Sequence, residues 1–349
     1  MNEPFGLSAP PTRLDSGGFG WRVGGALIQI REIGAESAYA LPDQPFAELI
    51  IGSADDCAIQ LQGLRGWISR RHARLVREGA LWSIHDLGST NGTWVDGARR
   101  STFSLTPGTE IQIGDISLVS ESRSFVALRG LVSRLLGWAA AQRVVVDRAL
   151  RDLRETASMQ TSLVIDGEGD LVPVARRLHD EMLGIDSPFV SLDDETDARR
   201  AVACAADGTL CVTRRLTPDL ATIIVNARSA NRARIIVCAP GDDRASCALL
   251  GHAARLEISP LAKRLRELTR IVEECASEAA THFEQPITGL RTSDLRLLRS
   301  LPFAGISDLE STAWRLVAIR TLGITEGAAR LGVTHGALSR WATRRSIVP

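Results

Sequence analysis

The stretch that decides the N-terminal fold is DLGSTNGTWVDG, residues 86–97. Its glycines mark two turns on either side of a short TWV run, and hydroxyl and amide side chains gather in the first turn. Short runs of alternating apolar and polar residues continue on both sides, over about residues 22–120. Turn signals at this spacing predict an all-β sandwich or barrel.

Three further motifs accompany this stretch in a fixed order. They are IGSADDCAIQL at 51–61, ISRRHARL at 68–75 and LTPGTEIQIGD at 105–115. Together with DLGSTNGTWVDG they resemble a forkhead-associated (FHA) domain, which we assign to residues 22–123. The resemblance implies an eleven-stranded β-sandwich that binds phosphothreonine peptides with its loops.

The same resemblance implies a set of site residues. A phosphate needs hydroxyl, amide and guanidinium donors that are held rigidly. Ser69 and Thr90 would donate to the phosphate, Asn91 would hold the peptide backbone, and Arg70 would contact the phosphate or flanking residues. The predicted phosphopeptide-binding residues are Ser69, Arg70, Arg71, Thr90 and Asn91, and the predicted supports are Gly52 and Gly92 for tight turns and His72 as a brace.

Position 53 departs from the family pattern, which has an arginine directly after the glycine of the first loop. Ser53 stands there in this chain. Loss of a charge-assisted contact can cost about 2–3 kcal/mol. Arg65, Arg70 or Arg71 are the candidates to replace it. Two interpretations are therefore open: the loops bind phosphothreonine, or the sandwich makes ordinary protein contacts.

Residues 124–286 alternate helical and strand-like patterns, which predicts an α/β domain with a parallel sheet. Leu128, Leu131, Val132 and Leu135 recur at helical spacing. The predicted strands are SLVIDG at 162–167, TLCVT at 209–213, ATIIVNA at 221–227 and ARIIVCA at 233–239.

This region resembles the AAA+ domain of sigma-54-dependent activators. The resemblance rests on LVIDGEGDLVPVARRLH at 163–179, AADGTLCVTRRL at 205–216, ARIIVCAPG at 233–241 and LEISPLAKRLRELTRIVE at 256–273. The family's nucleotide loop reads GESGTGKELVARAIH, and here the corresponding loop keeps only Gly167 and Gly169. The loop that grips the sigma factor has no counterpart.

The residues that a phosphate-binding ATPase needs are absent from these motifs. A working loop places a lysine on the β- and γ-phosphates, but the chain has a single lysine, Lys263, far downstream. The acidic pair that would hold the metal falls on Thr213 and Arg214. We therefore predict an inactive scaffold with no enzymatic activity, no cofactor and no metal. An enzyme with a rebuilt ATP site is the alternative.

Residues 287–349 are predicted to be helical and basic. From residue 291 onward nine arginines face four acidic residues, a net charge of +5. AARLGVTHGALSRWATRR at 328–345 resembles the Fis-type helix-turn-helix that ends sigma-54 activators, over about residues 310–346. Ala328, Ala329 and Leu331 would pack inward, as would Leu338 and Trp341. The predicted DNA-binding residues are Thr334, His335, Ser339, Arg340, Arg344 and Arg345. A helical dimerisation element is the alternative.

Residues 1–21 are predicted to be a flexible tail. No apolar run approaches the length of a membrane helix, and the six cysteines form no CxxC pair, which argues against a zinc knuckle or redox pair. We expect a cytoplasmic protein.

The expected protein is a non-enzymatic, DNA-binding transcriptional regulator with an FHA sensor and an inactive AAA+ scaffold. Its expected partners are double-stranded DNA, a phosphothreonine-containing protein and AAA+ paralogues, in a homodimer or higher oligomer. The alternative is a phospho-dependent interaction scaffold in Ser/Thr kinase signalling without DNA binding.

Overall fold

The structure is a computed structural model, and it describes residues 21–158, 161–194, 197–240, 244–251 and 253–347. All but Trp21 of the predicted tail, residues 1–21, lies outside the described residues. In the part of the chain that is described, no helix is both long enough and apolar enough to cross a bilayer.

The N-terminal segment is a sandwich of two sheets, which together hold eleven strands within the described residues. One sheet has the order β2-β1-β11-β10-β7-β8 and the other β4-β3-β5-β6-β9. The strands are β1 Leu27–Glu32, β2 Ala38–Ala40, β3 Phe46–Gly52, β4 Ile59–Gln60, β5 Ala73–Glu78, β6 Leu81–Asp86, β7 Thr93–Val95, β8 Ala98–Arg100, β9 Thr102–Leu105, β10 Glu110–Ile113 and β11 Ile116–Ser122. This confirms the predicted sandwich.

Alternating side chains of both sheets build the sandwich core. Ile51, Leu75 and Ile84 come from one sheet, and Ile111 and Leu118 from the other; all five are almost fully buried. Successive residues of a strand point to opposite faces, so the polar residues between them stay at the surface. The core fixes the strand ends, and therefore the loops that follow them.

A mixed α/β region follows without a linker, because helix α1 begins directly after β11. Its sheet has five parallel strands in the order β13-β14-β15-β12-β16. The strands are β12 Ser162–Gly167, β13 Phe189–Leu192, β14 Thr209–Val212, β15 Arg234–Pro240 and β16 Ala253–Glu257. The helices are α1 Arg123–Leu136, α2 Ala140–Ala157, α3 Val172–Leu183, α4 Ala198–Cys204, α5 Pro218–Asn231, α6 Arg244–Leu249 and α7 Leu268–His282.

The parallel sheet confirms the predicted pattern, but one predicted strand is wrong. Residues 221–227, ATIIVNA, lie inside helix α5. The Thr217 side chain caps this helix by accepting from the Leu220 amide, and Pro218 occupies its first turn. Leu220 and Ile224 are buried four residues apart, which is helical spacing.

Three helices end the described chain: α8 Thr292–Ser300, α9 Ile306–Arg330 and α10 His335–Arg344. Gly323 has a φ of 75° and bends α9, and Gly332, with a φ of 66°, lies in the turn before α10. Leu338 and Trp341 are buried as predicted. The prediction for Ala329 is wrong: it is exposed, and Ala328 is the buried alanine of this turn.

A buried arginine joins the sandwich to the α/β region. Arg31 on β1 donates to Glu121 on β11 at 2.9 Å and to Asp147 on α2 at 3.2 Å. Arg31 and Glu121 are both almost fully inaccessible to solvent. A charge buried this deeply is tolerated only with such partners, so the pairing fixes α2 against the sandwich.

Candidate functional site

Three loops of the sandwich meet at one end, and the backbone holds the first two together. The first loop follows β3, the second precedes β5, and the third joins β6 to β7. The Ser53 amide donates to the Ser69 carbonyl and the Ala54 amide to the Arg70 carbonyl, both at 3.1 Å. A Cβ at Gly52 would lie 2.8 Å from the Arg70 carbonyl carbon. Gly52 is thus required for this close approach rather than for a turn.

His72 braces the second loop against the third, as predicted. Its Nδ1 accepts from the Ser69 amide at 3.2 Å, and its Nε2 lies 3.2 Å from the Gly92 carbonyl oxygen. These partners require the proton on Nε2, because Nδ1 must accept and a carbonyl can only accept. Burial lowers the pKa of His72, which favours this neutral form.

The structure brings Ser69, Thr90 and Asn91 together. The Thr90 amide donates to the Ser69 hydroxyl oxygen at 3.2 Å. The Asn91 side-chain amide donates to the Trp67 carbonyl at 2.8 Å. Thr90 and Asn91 are exposed and Ser69 is half-buried. The three thus form an accessible edge of hydroxyl and amide groups, which are two of the three kinds of donor that phosphate recognition uses.

Asp86 organises the third loop, and sequence reasoning missed it. Its carboxylate accepts from the Gly88 and Ser89 amides, both at 2.9 Å, and from the Ser89 and Thr93 hydroxyls at 2.6 and 2.7 Å. Burial alone would raise the pKa of Asp86, but these hydrogen bonds outweigh it and leave the pKa below its usual value. An aspartate that accepts amides two and three residues on is a turn signal that the sequence offered.

Ser53 is hydrogen-bonded to the loop that precedes β5, where its hydroxyl donates to the Ile68 carbonyl at 3.1 Å. The three arginines proposed to replace the family arginine differ in their surroundings. Arg71 is paired with Asp56 at the surface. Arg65 lies over the Trp67 ring, and Arg70 is exposed.

A fourth arginine at this end, Arg99 on β8, was not predicted. Its guanidinium covers Gly92, where a Cβ would lie 2.9 Å from the Arg99 Cζ. Gly92 also has a φ of 78°, so its backbone conformation favours glycine; a Cβ there would in addition displace the exposed Arg99 side chain. The signal that could have found Arg99 is the VDGA turn, which folds β8 back onto β7.

The comparisons agree with this geometry. The FHA domain model matches residues 49–114. The oxoglutarate dehydrogenase inhibitor of Corynebacterium efficiens is 32% identical over 120 residues, which are 34% of this chain and 80% of that protein. The chain belongs to the FHA-domain family.

Two other matches illustrate how much of the chain is shared. FhaB of Mycobacterium tuberculosis is 42% identical over 79 residues, 22% of this chain and 48% of FhaB, so the chain spans about half the length of that relative. The solved structure of Mycobacterium tuberculosis EmbR in complex with a low affinity phosphopeptide is similar over 28% of this chain and 24% of that chain, with 32% identity and a TM-score of 0.25.

Beyond the FHA domain, β12 ends at Gly167, and the loop that follows contains Gly169 and is packed against the segment that starts α9. A Cβ at Gly169 would lie 2.8 Å from the Ala304 carbonyl oxygen. The Ser307 hydroxyl donates to the Asp170 carbonyl at 2.7 Å. Protein backbone therefore covers this side of the glycine loop.

Helix α10 carries the residues predicted to bind DNA. The Thr334 hydroxyl oxygen caps the helix by accepting from the Ala337 amide at 3.2 Å. Thr334, His335, Arg340 and Arg344 are exposed, and Ser339 and Arg345 are half-buried. Arg345 lies 4.9 Å from the centroid of the buried Trp341 ring, so part of its side chain is engaged in packing.

Proposed function

We propose that this chain is a phosphothreonine-dependent interaction protein that acts as a scaffold in Ser/Thr kinase signalling. The observation that carries the proposal is the accessible edge formed by Ser69, Thr90 and Asn91, held in place by His72. Its hydroxyl and amide groups suit a phosphate and the adjoining peptide backbone. Relatives named as regulators, such as the glycogen accumulation regulator GarA of Mycolicibacterium smegmatis, favour a role in binding rather than in chemistry.

The test is a titration of the full chain against a degenerate peptide library with a fixed phosphothreonine, beside its unphosphorylated twin. We expect preference for the phosphorylated library. That preference should be lost in Ser69→Ala and Asn91→Ala. Ser104→Ala, an exposed serine on β9, is the matched control and should bind like the wild type. Equal binding of the two libraries would contradict the proposal and leave the sandwich as an ordinary contact surface.

A second candidate function is DNA binding by the C-terminal helices, in which case the protein is a transcriptional regulator. The supporting observation is the exposed basic side of α10, on which Arg340 and Arg344 are both open to solvent. A gel shift with genomic fragments tests it: binding should fall steeply with salt and with Arg340→Gln. DNA binding that is absent, or that does not change with salt, would contradict this candidate function and would favour a role of these helices in protein assembly.

For the middle region we propose a degenerate AAA+ scaffold, with the domain boundaries 22–123, 124–286 and 287–349. The support is the parallel sheet, the missing lysine and the backbone packed over the loop at Gly169. The scaffold would bring together copies of this chain or AAA+ paralogues. Binding of labelled ATP at millimolar concentration would contradict the inactive assignment.

A further inference from the structure

Two exposed tryptophans are linked to Asn91 by hydrogen bonds. Trp67 is 45% exposed and Trp94 is 40% exposed. The Asn91 side chain donates to the Trp67 carbonyl at 2.8 Å, and the Trp94 indole N–H donates to the Asn91 carbonyl at 3.4 Å. Large exposed aromatic side chains beside one exposed polar residue are typical of a contact surface.

Each tryptophan lies beside an arginine. Arg65 Cζ is 5.0 Å from the Trp67 ring centroid. Arg99 is the register partner of Trp94 in the β7–β8 hairpin, and its guanidinium covers Gly92. Both arginines are exposed. Within the ranges that the structure describes, neither is paired with a carboxylate, whereas Arg71 is paired with Asp56.

This arrangement leaves two cationic positions near Asn91. Arg65 lies beside Trp67 in the loop before β5, and Arg99 lies beside Trp94 in the β7–β8 hairpin. Asn91 is hydrogen-bonded to both tryptophans, so a peptide held at Asn91 comes close to both elements. The first loop contributes no cation at position 53, since Ser53 stands there.

We propose that Arg99 and Arg65 are specificity-determining residues, and that the preferred ligand is a phosphothreonine with acidic residues on both sides. This inference rests on the proposed phosphothreonine binding. Charge-assisted contacts to carboxylates at these two positions supply the electrostatic attraction that the first loop lacks.

The experiment is fluorescence anisotropy with the full chain and three labelled peptides. One has phosphothreonine between glutamates, the second has phosphothreonine between glutamines, and the third has unmodified threonine between glutamates. We expect the glutamate-flanked phosphopeptide to bind about tenfold more tightly than the glutamine-flanked one. In Arg99→Gln that advantage should shrink to about threefold, and in Arg65→Gln/Arg99→Gln it should vanish.

Arg100→Gln is the matched control. Arg100 is the adjacent exposed arginine on β8, but its register partner is the buried Thr93 rather than Trp94. It should keep the full advantage of the glutamate-flanked peptide. The inference is overturned if wild-type protein binds both phosphopeptides equally, or if Arg100→Gln loses as much as Arg99→Gln. Failure to distinguish phosphothreonine from threonine would instead contradict the proposed function itself.

Discussion

His72 is the residue whose loss we expect to disturb the site most without removing any ligand-facing group. It is 0% exposed and bridges the loops that carry Ser69 and Gly92. His72→Ala removes two hydrogen bonds of about 1 kcal/mol each and leaves two backbone groups without their partner. We expect about 2–3 kcal/mol of local destabilisation, which raises the opening equilibrium of these loops roughly 30- to 150-fold.

Hydrogen-exchange mass spectrometry on the full chain measures this opening directly. Exchange should accelerate in segments 68–72 and 87–93 and stay unchanged in the α/β region, and phosphopeptide affinity should fall with it. His85→Ala is the control, because His85 is half-buried on β6 and its ring lies within hydrogen-bonding distance of the Ser83 and Thr102 hydroxyls rather than of the site loops. Unchanged exchange in both segments of His72→Ala would refute the bracing role, and so would equal acceleration in the control.

Three further predictions concern the charged groups of the fold. Burial places the folded pKa of His72 below the usual histidine value of 6.5, so the folded state binds fewer protons than the unfolded state. The contribution of His72 to stability is full above about pH 6.5 and is lost as pH falls from there through the lowered folded pKa. Urea unfolding from pH 8 to 5 should show this loss, and His72→Asn should reduce it. Asp86→Ala should destabilise the FHA domain by about 2 kcal/mol. Since the folded pKa of Asp86 is lowered, the difference between the unfolding free energies of wild type and variant, measured in urea, should shrink as pH falls below about 4. Arg134 is 3% exposed and donates to Glu278 and Glu310. Arg134→Met should destabilise the fold by about 1.5–3 kcal/mol, because these half-buried carboxylates lose one arginine partner and keep only Arg177 among the described residues; an unchanged thermal midpoint would contradict this.

The sandwich and its loop supports could be predicted because local patterns determine them. The alternation of apolar and polar residues along the strands places Ile51, Leu75 and Ile84 in the sandwich core. The motif at 86–97 places Thr90 and Asn91 in a turn. The same local reasoning assigned residues 221–227 to a strand, because an apolar run of that length fits either a strand or a buried helix face. The cap at Thr217 was the signal that decides between them.

The parts that could not be predicted depend on side chains that meet across the fold. Arg99 reaches Gly92 from a neighbouring strand, and Ser53 bonds to Ile68 in a different loop. The packing of Ala304 against Gly169 joins positions far apart in the chain. Contacts of this kind follow from strand pairing and domain docking, which no short sequence window contains.

The central claim is that the Ser69, Thr90 and Asn91 edge binds phosphothreonine. Isothermal titration calorimetry of the full chain with one peptide from the library, in phosphothreonine, phosphoserine and threonine forms, tests it most directly. The account predicts measurable heat and saturable one-to-one binding for the phosphothreonine form, abolished in Ser69→Ala, and none for the threonine form. Equal titration curves for the phosphothreonine and threonine forms would contradict it.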